Sequence, residues 1–348
     1  LRWTETNGNC SSYDEVTINF GRIPVMSISP VLDTLCNNET TQFVLTSDFA
    51  TTSYTVELLY SGGIIGANTS LVGDTIMQNL NNPGVSVDSV VYRIIPTGAT
   101  ASTCVGEADT VTVLVNPSPI LSVITSPDTI ICDSTTINFD VIDGNGIIIG
   151  AKVFQLTVDN PGGVLGLAAN GEYNYLAGTE INNQLINPTN QVQTVQYRFH
   201  PVFKNPRVGV NYCDNGLNND EVITIYVNPT PDYQVSVVDT IVCDSSTVTL
   251  NVLDLLGPVE GTKVYDLTTS YTGVVEGVEP TTTDIAIGTP IVNQLVNRTN
   301  QVQTVTYNFR YRLNDPRNGD APFCDNGTDT TITIYVNPTP RFEVSVVD

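Results

Sequence analysis

The sequence predicts an all-β protein, a tandem array of β-sandwich modules strung into an extended rod. Three observations lead there. β-Branched residues are abundant and charges few, apolar residues alternate with period two, and one unit of about 110 residues recurs along the chain.

The chain has 348 residues, enough for two to four domains of ordinary size. Its hydrophobic fraction of 41% can fill cores, and its charged fraction is only 14%, with Asn, Thr, Ser and Gln in the usual surface places of Lys and Glu. Disordered chains lack this much β-branched residue. The formal net charge is −23, and Lys152, Lys204 and Lys263 are the only lysines. Such a chain has no cationic surface for counterion release from DNA or RNA, and anionic lipid repels it. Neither nucleic acid nor direct membrane insertion is therefore expected. Apolar runs stay short, as in the Gly-bounded Ile147-Ile148-Ile149, far below a membrane span. The first residue is Leu and no signal peptide opens the chain, so a fragment of a longer secreted protein is expected.

Val115-Asn116-Pro117-Ser118-Pro119 recurs as Val227-Asn228-Pro229-Thr230-Pro231 and as Val336-Asn337-Pro338-Thr339-Pro340. After the first two copies come an alternating strand and an Asp-Thr-Ile-x-Cys turn, Asp128 to Cys132 and Asp239 to Cys243; Asp33-Thr34-Leu35-Cys36 is a diverged version. Asn183 to Val195 matches Asn293 to Val305 almost letter for letter. The repeat predicts modules over 26–119, 120–231 and 232–340. Residues 1–25 read as the last strand of a preceding module, because Cys10 through Phe20 lines up with Cys213 through Val227. Residues 341–348 read as the start of a following one.

Within a module the strands declare themselves. Val248, Leu250 and Val252 alternate with Thr247, Thr249 and Asn251; Val195, Tyr197 and Phe199 alternate with Gln196 and Arg198; Ile332, Ile334 and Val336 alternate with Thr333 and Tyr335. Clusters such as Asp143-Gly144-Asn145-Gly146 and Asn160-Pro161-Gly162-Gly163 supply turns. Short strands at this spacing fit an immunoglobulin-like sandwich. Two prolines one residue apart end the last strand in a stiff extended joint. Each module adds on the order of 35–40 Å.

Each module carries one early cysteine (Cys36, Cys132, Cys243) and one late cysteine (Cys104, Cys213, Cys324), leaving Cys10 to pair upstream. With no Cys-x-x-Cys and no nearby His, disulfides are expected rather than zinc. Closing loops of about 80 residues would contribute roughly 4–5 kcal/mol on the chain-entropy model. Two pairings are open. Module economy gives Cys36–Cys104, Cys132–Cys213 and Cys243–Cys324, and this pairing is expected. Sandwich topology places early and late cysteines at opposite ends of a module, and would join Cys36 to Cys213 and Cys132 to Cys324 instead.

Nothing points to catalysis. The single His200 has Arg310 as its counterpart and reads as a strand-end surface residue; no Ser-His or Cys-His pair, phosphate loop, dinucleotide fingerprint or EF-hand is present. No cofactor is expected. Calcium has candidate ligands in Asp128, Asp133, Asp239 and Asp244 beside the early cysteines, and Asp214 and Asp325 beside the late ones, although Asx-turn capping explains the same residues. Tyr226 and Tyr335 point away from the expected core, for cross-strand packing or for a sugar.

Together the Gln-Thr-Val-x-Tyr-x-Phe strand (Gln193 to Phe199, Gln303 to Phe309), the late cysteine, the Thr-rich last strand, the Val-Asn-Pro-Thr-Pro joint and Asp-Thr-Ile-x-Cys-Asp-Ser resemble the PKD-like repeats of large Bacteroidota cell-surface proteins. The nearest resemblance is to the giant gliding-motility adhesins of the SprB type. It covers essentially the whole chain, although the first module has Gly21-Arg22-Ile23-Pro24 in place of the joint and a shorter body. The resemblance implies type IX export, attachment at the outer-membrane surface, and a role as adhesive filament or stalk. It also implies O-glycosylation at Asp-[Ser/Thr] motifs, whose hydroxyl positions here are Thr34, Thr75, Ser89, Thr110, Thr129, Ser134, Thr240 and Thr330. Expected partners are further copies of the module in the same chain and an external surface or polysaccharide. The competing functions are an inert stalk, modules that themselves bind glycan or a surface, and a spacer for a secreted enzyme.

Overall fold

The computed structural model describes residues 1–18, 20–98, 104–167, 171–204, 212–214, 216–317 and 322–345. Strands form where the sequence alternates. In Thr135–Asp143 the side chains of Ile137, Phe139 and Val141 are fully buried, while Thr136, Asn138 and Asp140 between them face solvent.

The second module shows the plan. One sheet is antiparallel and holds Leu121–Ser126, Thr135–Asp143 and Glu180–Leu185. The facing sheet runs Ile130–Ile131, Glu221–Val227, Gln193–Lys204, Ala151–Asp159 and Gly171–Leu176. The first strand is split by Pro127. Its continuation, Ile130–Ile131, crosses to the facing sheet and pairs in parallel with the last strand, Ile131 opposite Val227. The third module repeats this, with Tyr233–Val237 against Ser246–Asp254 and Ile241–Cys243 parallel to Thr330–Asn337. In the first, Met26–Ser29 pairs Phe43–Ser47 and Leu32–Leu35 runs parallel to Asp109–Val115. Between the sheets lies a continuous apolar core. In the second module Phe139 sits 4.4 Å from the Tyr197 ring and 5.5 Å from Phe199. Burying such rings contributes about 1.5–3 kcal/mol each. The tyrosine recurs: Tyr92 donates to Gln78 Oε1 and Tyr307 to Asn293 Oδ1, both at 2.5 Å, and burial pushes their phenols above the usual range.

One strand outgrows its sandwich. Gln193–Lys204 has twelve residues, but only Gln193 to Phe199 pair with the last strand. The remainder runs on, still paired with Ala151 to Gln155, and turns back so that Cys213 lies opposite Phe203. In the third module Gln303–Asn314 does the same and carries Cys324 opposite Leu313. Each of these modules therefore extends a β-flap from its N-terminal end, tipped by the late cysteine.

This topology corrects the within-module pairing. The early cysteine lies beside the C-terminal end of the last strand, while the late one sits about ten strand residues away at the other end, roughly 33 Å. A disulfide needs Cα atoms within about 7 Å. The structure joins Cys36 to Cys213 and Cys132 to Cys324, with Cα separations of 5.2 and 5.4 Å. Thus Cys36 is not joined to Cys104, nor Cys132 to Cys213, nor Cys243 to Cys324; Cys243 is an exposed thiol.

The segment expected to supply one last strand holds an exposed hairpin, Arg2–Asn7 with Cys10–Glu15, in which Asn7 faces Cys10. At the other end, residues 341–345 are exposed and outside any strand, and Val346, Val347 and Asp348 lie outside the described residues.

Candidate functional site: the module junction

The polar residues that recur most faithfully meet where modules join. Asn116 and Asn228, from the Val-Asn-Pro motif, are wholly buried. Each offers its carboxamide to one backbone residue of the next module. Asn116 Nδ2 donates to Ile149 O and accepts from Ile149 N at Oδ1, both 2.8 Å. Asn228 makes the same pair with Glu260, again at 2.8 Å. The geometry imitates two rungs of a β-ladder, satisfying an amide that would otherwise be costly to bury.

The loop that supplies Ile149 or Glu260 is inserted like a short strand. Gly146 N donates to Val85 O and Val87 N to Ile147 O, at 2.8 and 2.7 Å. At the second junction Gly257 N donates to Asn190 O and Val192 N to Pro258 O, both 2.8 Å. The approach is close at both glycines: a Cβ on Gly146 would lie 2.1 Å from Ser86 Oγ, which would have to rotate away, and one on Gly257 3.0 Å from Gln191 Cβ. A lysine holds each loop in shape. Lys152 Nζ pairs with Asp143 and donates to Asn145 O at 2.7 Å; Lys263 Nζ meets Asp254 Oδ2 at 2.6 Å and the carbonyls of Leu256 and Gly257 at 3.0 and 2.8 Å.

The flap closes the opposite side. Cys213, Phe203 and Cys36 form a buried cluster with Ile148 packed on it. At the second junction Leu256, Tyr311, Leu313 and Cys324 pack against Cys132, Tyr233, Val259 and Phe323. Asn219 and Asn326 donate to the joint carbonyls of Pro119 and Pro231 at 2.7 and 2.8 Å. Arg317 pairs with Asp128 across the second junction.

Five of the six calcium candidates accept hydrogen bonds from within the chain. Asp133 accepts from Asn187 N and Thr230 Oγ1 at 2.7 and 2.6 Å, and Asp244 accepts from Asn297 N and Thr339 Oγ1 at 2.7 and 2.5 Å. Those bonds, with the Thr339 hydroxyl foremost, hold the Asp244 carboxyl below its usual range. Asp128 caps Thr129 N; Asp214 and Asp325 cap Gly216 N and Gly327 N; Asp239 is exposed. Asn215, in the Asp214 turn, lies outside the described residues. Among the described residues no three carboxylate, thiol or imidazole groups are placed so that they could hold a metal ion. Of the hydroxyls in Asp-[Ser/Thr] motifs, Thr110, Ser134 and Thr240 belong to exposed residues, and Thr34, Thr75, Ser89, Thr129 and Thr330 to half-buried ones. Tyr335 is 45% exposed and Tyr226 half-buried.

His200 is the correction within the flap. It is not a surface residue at a strand end, because the strand continues past it and Asp214 and Asp220 both contact its ring. Its Nδ1 lies 2.6 Å from Asp220 Oδ1 and its Nε2 3.2 Å from Asp214 Oδ1. Asp220 also receives Arg198 at 2.9 Å. In the sequence the junction asparagines stand only as part of a proline joint. Their repeated position after a buried valine was the available signal, since an Asn kept in register beside a strand end has a polar group to satisfy.

A family model for PKD-like domains matches residues 33–119. No curated protein sequence matches the chain. Among solved structures, a D1–D4 ectodomain fragment of ICAM-5 is 9% identical, covering 91% of this chain and 78% of that one, with a TM-score of 0.41. The Escherichia coli adhesin FdeC is 14% identical over 91% and 97% of the two chains, with a TM-score of 0.35. Protocadherin gamma B2 cadherin domains 3–6 are 11% identical over 98% and 84%, with a TM-score of 0.32. The architecture is that of tandem immunoglobulin-like sandwiches, and the first module is PKD-like in sequence. No helix among the described residues is long and apolar enough to cross a membrane.

Proposed function

We propose that the chain is a stiff, disulfide-braced segment of an extracellular adhesive stalk, whose function is to hold a distance. The observation that carries this reading is the junction, built twice from the same asparagine pair, the same inserted loop and the same inter-module disulfide. A flexible multidomain chain has no use for buried, register-specific contacts between neighbours. Disulfides need an oxidising compartment, which supports an extracellular location. The finer reading is a cell-surface gliding adhesin of the Bacteroidota type, exported by the type IX route and glycosylated at its Asp-[Ser/Thr] sites; the sequence resemblance and the PKD-like match at 33–119 support it.

Small-angle scattering on the oxidised chain tests the stalk. Three modules at about 35–40 Å give a maximum dimension on the order of 105–120 Å with a narrow cross-section. A compact or freely bent ensemble would overturn the reading.

A further inference from the structure

The acceptor half of the junction occurs three times in this chain, and the described contacts fill it twice. It consists of an early cysteine, the asparagine after the last strand, and a carbonyl and N–H two residues apart in the preceding turn. In the first module these are Cys36, Asn116, Val85 O and Val87 N; in the second, Cys132, Asn228, Asn190 O and Val192 N. In the third they are Cys243, Asn337, Asn300 O and Val302 N, carried on the same strand register, with Cys243 opposite Asn337. The supporting turn is also complete: Asn297 Nδ2 holds Gln301 O and Val336 O at 2.8 Å, as Asn187 holds Gln191 O and Val227 O. Ser245 takes the same left-handed φ, 66°, as Ser134 at 60°.

Only the occupant differs. Asn116 and Asn228 are fully buried, whereas Asn337 is half-exposed and has no side-chain hydrogen bond among the described residues. Cys36 is buried and Cys132 half-buried, whereas Cys243 is exposed. Val87 and Val192 are half-buried beneath the inserted loop, whereas Val302 is 51% exposed.

We propose that the face formed by Cys243, Asn337 and the 300–302 backbone is a third junction socket, whose occupant is another module of this same repeat type. That module inserts its Gly-led loop against Asn337 and Val302, and its late cysteine forms a disulfide with Cys243. The step joins two thiols with loss of two protons and two electrons, taken up by the disulfide oxidants of an oxidising compartment. Continuity with the two filled junctions selects this occupant over a second copy of the bare face, because two sockets present no loop or flap to each other. The inference rests on the stalk reading, but its test is separate: scattering from the existing three modules does not depend on what Cys243 binds.

The test extends the full chain after Asp348 with a second copy of residues 240–348 carrying Ser at the position of Cys243. Non-reducing peptide mapping should link Cys243 to a Cys324-type peptide, and alkylation of Cys243 should fall at least tenfold. Hydrogen exchange at Val302 N should slow at least tenfold, and should remain slow when Cys243→Ser removes the covalent bond. A second extension with residues 129–239, bringing the Gly146 loop and Cys213, guards against misfolding of the first. Either extension giving the link together with protection of Val302 supports the proposal. A Cys243–Cys243 dimer would overturn it, as would Cys243 and Val302 staying as open in both extended chains as in the parent.

Discussion

The two junctions share their polar frame and differ in their filling. At the first, the space between loop and flap holds Phe203, Ile148 and the Cys36–Cys213 bridge. At the second it holds Leu256, Tyr311 and Leu313 with Tyr233, Val259, Ile287 and Phe323 around Cys132–Cys324. Tyr233 meets Tyr311 edge-on at 5.3 Å and donates to Phe309 O at 2.6 Å, and Tyr311 donates to Asp254 Oδ1 at 3.0 Å. Where the second module's flap has the buried Val202, the third has Arg312, held by Asp266 and Asp284. The polar frame fixes where the next module sits, and the filling decides how firmly.

Removing the disulfides should show that most strongly. Either bridge closes a loop of more than 170 residues, which on the chain-entropy model contributes about 5 kcal/mol. The entropic loss is nearly equal for the two, so a difference between them reports the filling. The Cys36→Ser, Cys213→Ser pair should let the first two modules hinge, with faster exchange at Ile149 N. The Cys132→Ser, Cys324→Ser pair should leave Glu260 N protected by the tyrosine cluster. Equal exchange at both amides would break the comparison.

Arg312→Met probes the flap of the third module. The guanidinium is 6% exposed and meets Asp266 Oδ2 at 3.0 Å and Asp284 Oδ1 at 2.6 Å. Its loss leaves two carboxylates facing each other without a cation. Because both are partly solvated, the expected destabilisation is about 2–3 kcal/mol rather than the larger cost of a fully buried pair. Thermal unfolding checks it, with Val202→Ala in the second module as the purely apolar control.

Asn116→Ala and Asn228→Ala should be the most alike. Each removes two hydrogen bonds and leaves one backbone N–H and one C=O of the next module unmatched, so each should cost about 2 kcal/mol. Differential scanning calorimetry of the two single variants gives the comparison. A large difference between them would mean that the frame is not shared.

The sandwich class was legible because strand alternation and turn chemistry are local. Val195, Tyr197 and Phe199 announce a buried face without knowledge of anything distant. The disulfides were not legible in the same way. Their pairing depends on how far the Gln193–Lys204 strand overruns its neighbour, and the sequence shows no break at Phe199 where pairing with the last strand stops. His200 was misread for the same reason, since the alternation continues through it into the flap. The asparagine pair lay in plain view, but its partners Ile149 and Glu260 donate and accept through backbone, which carries no side-chain signature.

Acid should act on the second junction through its arginine, and this is the smallest effect expected. Arg317 bonds the Asp315 side chain and donates its own N–H to it, holding that carboxyl below the ordinary value of 3.8. It also pairs with Asp128 across the joint. Because the folded carboxyl is the stronger acid, the unfolded chain takes up the proton first as pH falls. The contribution to stability is therefore complete above about pH 4 and is lost as pH drops through the folded value. Protection of Gly257 N and Glu260 N should decline below pH 4, and Arg317→Ala should flatten that decline while leaving neutral-pH protection nearly unchanged, because the ion pairs are partly exposed. An undiminished acid dependence in Arg317→Ala would place the sensitivity elsewhere. Asp284, held low first by Asn314 and then by Arg312, is the group to substitute next, and its loss would tie acid sensitivity to the flap rather than to the joint.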